Sequence, residues 1–138
     1  MSGSRFAVFL AVVLSIWALE HLYVGWRLLS LPPFAEGAPR RGLQLVLLLG
    51  FLAYPVGRVL FQLGARGLGR GLEYAGAVWM GTLFLVLAAL VAVEVVSLAG
   101  LLWSDRLAVL RGAAAAAAVA FAMVAWWGGT RPPRVAEH

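Results

Sequence analysis

The sequence predicts an all-α polytopic membrane protein, built as a bundle of four transmembrane helices. Hydrophobic residues make up 63% of the 138 residues and charged residues 12%, against roughly 45–50% and about 25% in soluble domains. The mean hydropathy is +0.93. A soluble protein of this size has too much surface for its volume to hide so many apolar side chains. A bilayer solves this problem because lipid solvates the outer faces of the helices.

The first helix is predicted over residues 6–31. Arg5 precedes fourteen uncharged residues that end at Leu19, which is how a signal peptide begins. A signal peptide then needs a cleavage site with small residues, but Glu20 and His21 follow instead, and the apolar pattern resumes. We therefore predict an uncleaved helix that ends before the two prolines at 32–33, because the residue before a proline is biased away from helix.

The second and third helices are predicted over residues 43–63 and 75–103. Pro55 lies inside the second helix and is expected to kink it, which a membrane bundle tolerates when neighbours satisfy the freed carbonyl. Residues 64–74 hold four glycines and two arginines. They lack the lysine and the spacing of a phosphate-binding loop, so the prediction is a flexible loop that faces lipid headgroups. The third helix is long enough to cross the membrane at a tilt.

The fourth helix is predicted over residues 107–128, after a tight turn at 104–106. Its centre, residues 113–118, consists of alanine alone, and small residues allow membrane helices to approach closely. Residues 1–128 are thus predicted to form one transmembrane domain. Residues 129–138, with two further prolines, are predicted to form a linker or tail.

Four passes place the chain's loops on two sides of the membrane. Side A carries the N-terminus, the 64–74 loop and the tail; side B carries the 32–42 loop and the 104–106 turn. Aromatic residues should mark both interfaces. Those near side B are Tyr23, Trp26 and Trp103, those near side A are Tyr74, Trp79, Trp126 and Trp127, and Trp17 and Tyr54 fall mid-span. Arginines number six on side A and five on side B, and we predict an inner (cytoplasmic) membrane protein with both termini in the cytoplasm.

Five ionisable residues are predicted to form an intramembrane polar cluster. With the predicted helix ends, Glu20 and Glu94 lie at similar depths below side B, and Arg27 and Arg111 lie about one turn below that interface. Ionisable groups at membrane depth cost about 2.5–3.5 kcal/mol at the centre on insertion scales. Such groups therefore need partners, and we predict a cluster of Glu20, Glu94 and Arg111 with Arg27 and His21 at its edge.

Three interpretations of this cluster remain open. The charges could pair only to select one packing of the helices. Glu20, His21 and Glu94 could bind a metal, since their types suit one, although adjacent residues point about 100° apart on a helix. A proton or ion path is the third interpretation, although transport usually needs polar groups at several depths.

The composition also bears on partners and chemistry. All eleven basic residues are arginine and no cysteine is present, which excludes disulfides and cysteine nucleophiles. The arginines lie singly or in pairs between apolar stretches, so anionic lipid headgroups rather than nucleic acid are the predicted partner. Partner membrane helices or a second copy of the chain are also possible. No catalytic, cofactor-binding or metal-binding motif was found in the sequence.

Several segments together resemble the membrane-embedded amino-terminal region of bacterial calcineurin-like metallophosphoesterases. They are HLYVGWR at residues 21–27, VWMGTLF at 78–84 with the later acid Glu94, Arg111 at the start of a small-residue helix, and RPPRV at 131–135. In that family such an exit leads into a β-strand and then the phosphoesterase domain, where Asp and His motifs hold two divalent metals. This chain has only two histidines, His21 and His138, so no catalytic or metal residue can be carried over.

The resemblance implies a non-catalytic membrane anchor that positions a hydrolase near lipid-linked or surface phosphoesters. The chain would then be either truncated or a natural relative that kept only the membrane part. A small subunit of a membrane complex, which binds a partner helix through the polar cluster, is an alternative. A transporter-like or lipid-binding four-helix bundle is another.

Overall fold

The computed structural model describes residues 3–98, 101–102 and 104–130, which form four long helices. These are α1 (Gly3–Leu29), α2 (Gly37–Gln62), α3 (Arg66–Val96) and α4 (Leu107–Gly129). Short 3₁₀ turns at Pro32–Phe34 and Ser104–Arg106 precede α2 and α4. The described residues contain no strand, and the predicted all-α fold is confirmed. Trp103 and the predicted linker at 131–138 lie outside the described residues.

Each long helix carries an apolar segment of sufficient length to cross a membrane. The segments are Ala7–Leu29, Gly37–Gln62, Arg66–Val96 and Ser104–Gly129. Only 11–22% of the most apolar stretch of each segment is buried inside the bundle. The remaining apolar surface faces outward, where only lipid solvates it favourably. The chain is therefore a multi-pass membrane protein.

The second helix starts six residues earlier than predicted, so that Arg40 and Arg41 belong to α2 rather than to a loop. Pro39 lies in the first turn of this helix. A proline is tolerated there because the first-turn N–H groups have no partner within the helix. Gly37, with a φ of 73°, makes the change of direction that starts the helix.

The third helix starts nine residues earlier than predicted, at Arg66, and the prediction of a flexible loop over 64–74 was wrong. The turn itself is confined to residues 63–65, where Gly64 has a φ of 94°. Glycine is a poor helix former, which is why the segment was read as a loop. In the structure, contact with α2 overrides this local preference.

The third helix also ends seven residues earlier than predicted, at Val96. Leu98 has a φ of 48°, in the left-handed region, so the chain leaves the helix there. The start of α4 agrees with the prediction, and the other boundaries of α1 and α4 differ from it by one to three residues, close to the ordinary uncertainty of helix boundaries.

Helix α3 is the centre of the bundle and contacts each of the other three helices. Its largest interface is with α2, followed by that with α4. The buried core lies where α1, α3 and α4 meet, and its members are Val24, Leu83, Val86, Leu90, Ala115 and Ala118. Ala115 and Ala118 of α4 thus pack with the larger side chains of α3 in this core.

The α2–α3 interface depends on glycines from both helices. A Cβ atom at Gly76 would lie 2.6 Å from the backbone nitrogen of Tyr54, and one at Gly69 would lie 2.6 Å from that of Phe61. On the facing helix, a Cβ at Gly57 would lie 2.6 Å from the backbone nitrogen of Glu73. Gly50 lies in the same way against the indole of Trp79. Backbones approach this closely only where side chains are absent.

We expect Gly76→Ala to destabilise the protein, because its new methyl group must displace the backbone of α2 at Tyr54. Overpacking of this kind costs about 1–3 kcal/mol. Gly81→Ala on the same helix is the matched control, since a Cβ at Gly81 meets nothing within 4 Å. The control should be neutral or stabilising by up to about 1 kcal/mol, because alanine is the better helix former.

Thermal unfolding in detergent, followed by far-UV circular dichroism, measures both variants. Equal unfolding temperatures for Gly76→Ala and Gly81→Ala would contradict the close approach of α2 and α3.

Candidate functional site

One carboxylate joins three of the four helices. Glu94 of α3 accepts a hydrogen bond from Nε of Arg111 on α4, at 2.7 Å, and pairs with Nη2 of Arg27 on α1, at 3.2 Å. Both guanidinium groups bind the same oxygen, Oε1. The three side chains are 14–19% exposed. Three of the five residues predicted for the polar cluster are therefore in contact.

Two aromatic rings of α1 also contact Arg27. Its guanidinium carbon lies 4.3 Å from the ring centroid of Trp26 and 5.6 Å from that of Tyr23. Contacts of a guanidinium with an aromatic face are worth about 0.5–2 kcal/mol depending on solvation. Arg27 is therefore stabilised by its own helix as well as by Glu94.

The charged group lies at the helix ends rather than deep in the bundle. Glu94 is two residues before the end of α3, Arg27 two residues before the end of α1, and Arg111 four residues after the start of α4. Glu94 was predicted to lie deeper because the third helix was predicted to extend to residue 103. The earlier end at Val96 moves Glu94 close to side B, where Arg27 and Arg111 were already predicted and where a charge costs less than at the bilayer centre.

Glu20 is not brought into this group. It lies nine residues before the end of α1, about 14 Å along the helix axis at 1.5 Å per residue, whereas Glu94 is near the end of its helix. Among the described residues Glu20 has no ion pair, and its Oε1 is buried without a hydrogen-bond partner. The depth match between the two carboxylates, on which the predicted cluster depended, does not hold.

His21 belongs to an aromatic group instead. Its Nδ1 lies 2.9 Å from the carbonyl oxygen of Trp17, to which it donates, and its Nε2 accepts a hydrogen bond of 3.0 Å from Nε1 of Trp79. The rings of Trp17 and Phe51 lie 4.2 Å and 5.1 Å from the imidazole, centroid to centroid. His21 thus links α1 to α2 and α3.

The metal interpretation has little support from these contacts. Both ring nitrogens of His21 are already engaged in hydrogen bonds, so His21 has no free ligand atom. Within the described ranges, no group of three or more His, Cys, Asp or Glu side chains could hold a metal ion. The neighbouring carboxylate of Glu20 points to a different environment, as adjacent residues on a helix do.

Trp79 was misplaced by the sequence analysis. It was assigned to the aromatic belt at side A, but it lies thirteen residues inside α3 and contacts His21. The error follows from the late start predicted for the third helix. The spacing of Trp17 and His21, four residues apart on one helical face, was the available signal for an aromatic group. At side A, Nε1 of Trp126 donates a hydrogen bond of 2.8 Å to the hydroxyl of Tyr74.

Two further predicted features lie in α2. Pro55 is inside the helix, which continues on both sides of it, and the predicted kink stays a prediction. Arg58 pairs with Glu73 of α3 at 3.4 Å. The Arg58 side chain is 60% exposed, and a pair this exposed contributes at most about 1 kcal/mol.

Comparisons with known proteins give no relative. No family model matches the chain, and no curated protein or solved structure shows a significant match. The resemblance to the membrane region of metallophosphoesterases therefore stays a prediction.

We expect Glu94→Ala to destabilise the bundle, because it leaves Arg27 and Arg111 without their shared partner. Removing one partner of a buried pair costs about 3–5 kcal/mol, so a loss of about 3 kcal/mol is expected. The matched control is Glu73→Ala, which breaks the exposed pair with Arg58 and should cost less than about 1 kcal/mol. Thermal unfolding in detergent compares the two variants, and an equal effect on both would contradict a special role for Glu94.

Proposed function

We propose that this chain is a non-catalytic membrane-anchoring domain. The observation that carries the proposal is that polar side chains within the bundle contact one another. Glu94, Arg27 and Arg111 bind one another across three helices, and His21 is enclosed by hydrogen bonds to Trp17 and Trp79. These groups hold helices together, while the outward surface is apolar. Together the features favour a rigid unit held in lipid.

The proposal includes a location and an orientation. We propose an inner-membrane protein whose N-terminus, 63–65 turn and C-terminal end share the cytoplasmic side. The turn at Pro32–Phe34 and the segment at Ser104–Arg106 would then face the opposite side. The even number of candidate spans supports termini on the same side. The arginine count supports the cytoplasmic assignment only by a small excess.

Single introduced cysteines test this orientation, because the chain has no cysteine of its own. Ala65→Cys and Thr130→Cys report on side A, and Glu36→Cys and Asp105→Cys on side B. In intact cells, a membrane-impermeant maleimide should label only the side-B pair, and the side-A pair should react after lysis. Labelling of Ala65→Cys and Thr130→Cys on opposite sides would contradict the four-pass arrangement. Labelling of only the side-A pair in intact cells would reverse the orientation.

Purified protein tests the anchoring role against catalysis and transport. In the presence of added Mn²⁺, the phosphodiesterase activity of the purified protein should equal the background measured for Glu94→Ala and for empty detergent micelles. Proteoliposomes under a pH gradient should leak protons no faster than protein-free liposomes. Turnover would overturn the non-catalytic assignment, and proton flux that Glu20→Gln abolishes would favour a transporter-like bundle instead.

The resemblance to metallophosphoesterases leads us to propose, further, that the anchored partner is a metal-dependent hydrolase domain. Its test is the reading frame: continuation past His138 into a segment with a DxH motif would support a fused hydrolase. A stop codon after His138 would contradict fusion and would favour a separate membrane subunit.

A further inference from the structure

An apolar groove of about 930 Å³ opens on the surface of the bundle near side B. One wall is α4, from Ala108 to Met123. The other is the end of α1 with the Pro32–Phe34 turn and Leu43 of α2, and Val86 of α3 lies at its base. The α4 wall carries small residues at a four-residue spacing, Ala108, Gly112, Ala116 and Ala120. No described segment of the chain fills the groove.

The dimensions of the groove suit a hydrocarbon chain. Ala108 and Met123 are fifteen residues apart on α4, or about 22 Å at about 1.5 Å per residue. One leaflet contributes about 15 Å, half of a hydrocarbon core of about 30 Å, so an acyl chain that enters at side B fits lengthwise. The side chains that line the groove along this length are all apolar or small, which suits a hydrocarbon chain.

The charge at the side-B end indicates the kind of headgroup. Arg40 is three residues before Leu43, and Arg106 is two residues before Ala108, so both lie at the end of the groove. Neither these two nor Arg41 forms an ion pair among the described residues. Arg40 instead donates to the carbonyl oxygen of Ala35, at 2.9 Å, in the turn that closes this end.

The whole side-B end has an excess of positive charge. In the part of the chain that the structure describes, five arginines face three carboxylates there: Arg27, Arg40, Arg41, Arg106 and Arg111 against Glu36, Glu94 and Asp105. Juxtamembrane arginines attract anionic lipids by about 1 kcal/mol each. An anionic phosphate is the group that this excess would attract.

We infer that the groove binds a single anionic phospholipid, with an acyl chain along α4 and the phosphate among the arginines at side B. This site goes beyond the anchoring role and does not depend on it. Lipid that surrounds the whole bundle would exchange freely and show weak preference for charge. A lipid in this groove should instead be retained by the purified protein in preference to zwitterionic lipid.

Native mass spectrometry tests the site on protein incubated with palmitoyl-oleoyl phosphatidylglycerol or with the matching phosphatidylcholine. Ala116→Phe places an aromatic ring in the groove. Ala117→Phe is the matched control, because Ala117 is exposed, lies on the same helix and does not line the groove. We expect the parent and Ala117→Phe each to retain one phosphatidylglycerol molecule. Ala116→Phe should retain about tenfold less phosphatidylglycerol, or lower still.

A second pair of variants separates the contribution of the acyl chain from that of the headgroup. In Arg40→Gln/Arg106→Gln, the preference for phosphatidylglycerol over phosphatidylcholine should fall, while Arg66→Gln/Arg70→Gln at side A should keep it. Equal retention in all variants would mean surrounding lipid only and would overturn the inference. If the parent and Ala117→Phe form a dimer and Ala116→Phe does not, the groove holds a second copy of the chain. That result would also overturn the inference.

Folding of the variants is checked by thermal unfolding in detergent. If Ala116→Phe unfolds, Val109→Trp replaces it, because Val109 lines the groove and is 71% exposed, so its substitution displaces no core atoms. Retention of phosphatidylglycerol by folded Val109→Trp at the parent level would contradict the site.

Discussion

The arrangement of α1 and α4 around α3 depends on one oxygen atom, Oε1 of Glu94, which both Arg27 and Arg111 bind. Purely apolar membrane helices have many similar ways to pack, because lipid tails are as apolar as leucine and give no direction to the contact. A charged contact differs, since it favours those arrangements of the helices that keep both guanidinium groups on Glu94. The same contact joins α1, α3 and α4 near side B.

Helix α3 uses one face for two different kinds of packing. Gly69, Gly76, Leu83 and Leu90 follow one another at intervals of seven residues, and all four are buried. The glycines bring the backbone of α2 close at the side-A end, and the leucines separate α3 from its neighbours by full side chains at the other end. A face that goes from glycine to leucine along its length is wider at the leucine end. The α2–α3 contact is accordingly tight near the 63–65 turn, and the groove lies between α4 and the side-B ends of α1 and α2.

The sequence was sufficient for the helix count and for the pairing of Glu94 with Arg111 and Arg27, because hydropathy and the cost of a charge in lipid act locally. It was insufficient where tertiary contact overrides local preference. Residues 66–74 are helical although glycine-rich, because Gly69 is pressed against Phe61, and only the position of α2 reveals this. That single boundary error also placed Trp79 at the interface rather than beside His21. The late end assigned to α3 likewise placed Glu94 at the depth of Glu20. Helix boundaries, rather than residue types, limited the prediction of the site.

The distribution of charge connects the packing to the membrane. Along the membrane segments, the ionisable groups that lie far from a helix end are few: Glu20 and His21 in α1 are the clearest. His21 is satisfied by Trp17 and Trp79, so its burial is no obstacle to a stable bundle. The arginines, in contrast, concentrate where the helices end, and on side B they exceed the carboxylates. The side-B end of the groove therefore lies beside an excess of positive charge. An apolar opening and a positive rim at one depth match the two parts of an anionic lipid, whose phosphate and acyl chain meet at that same depth in the leaflet.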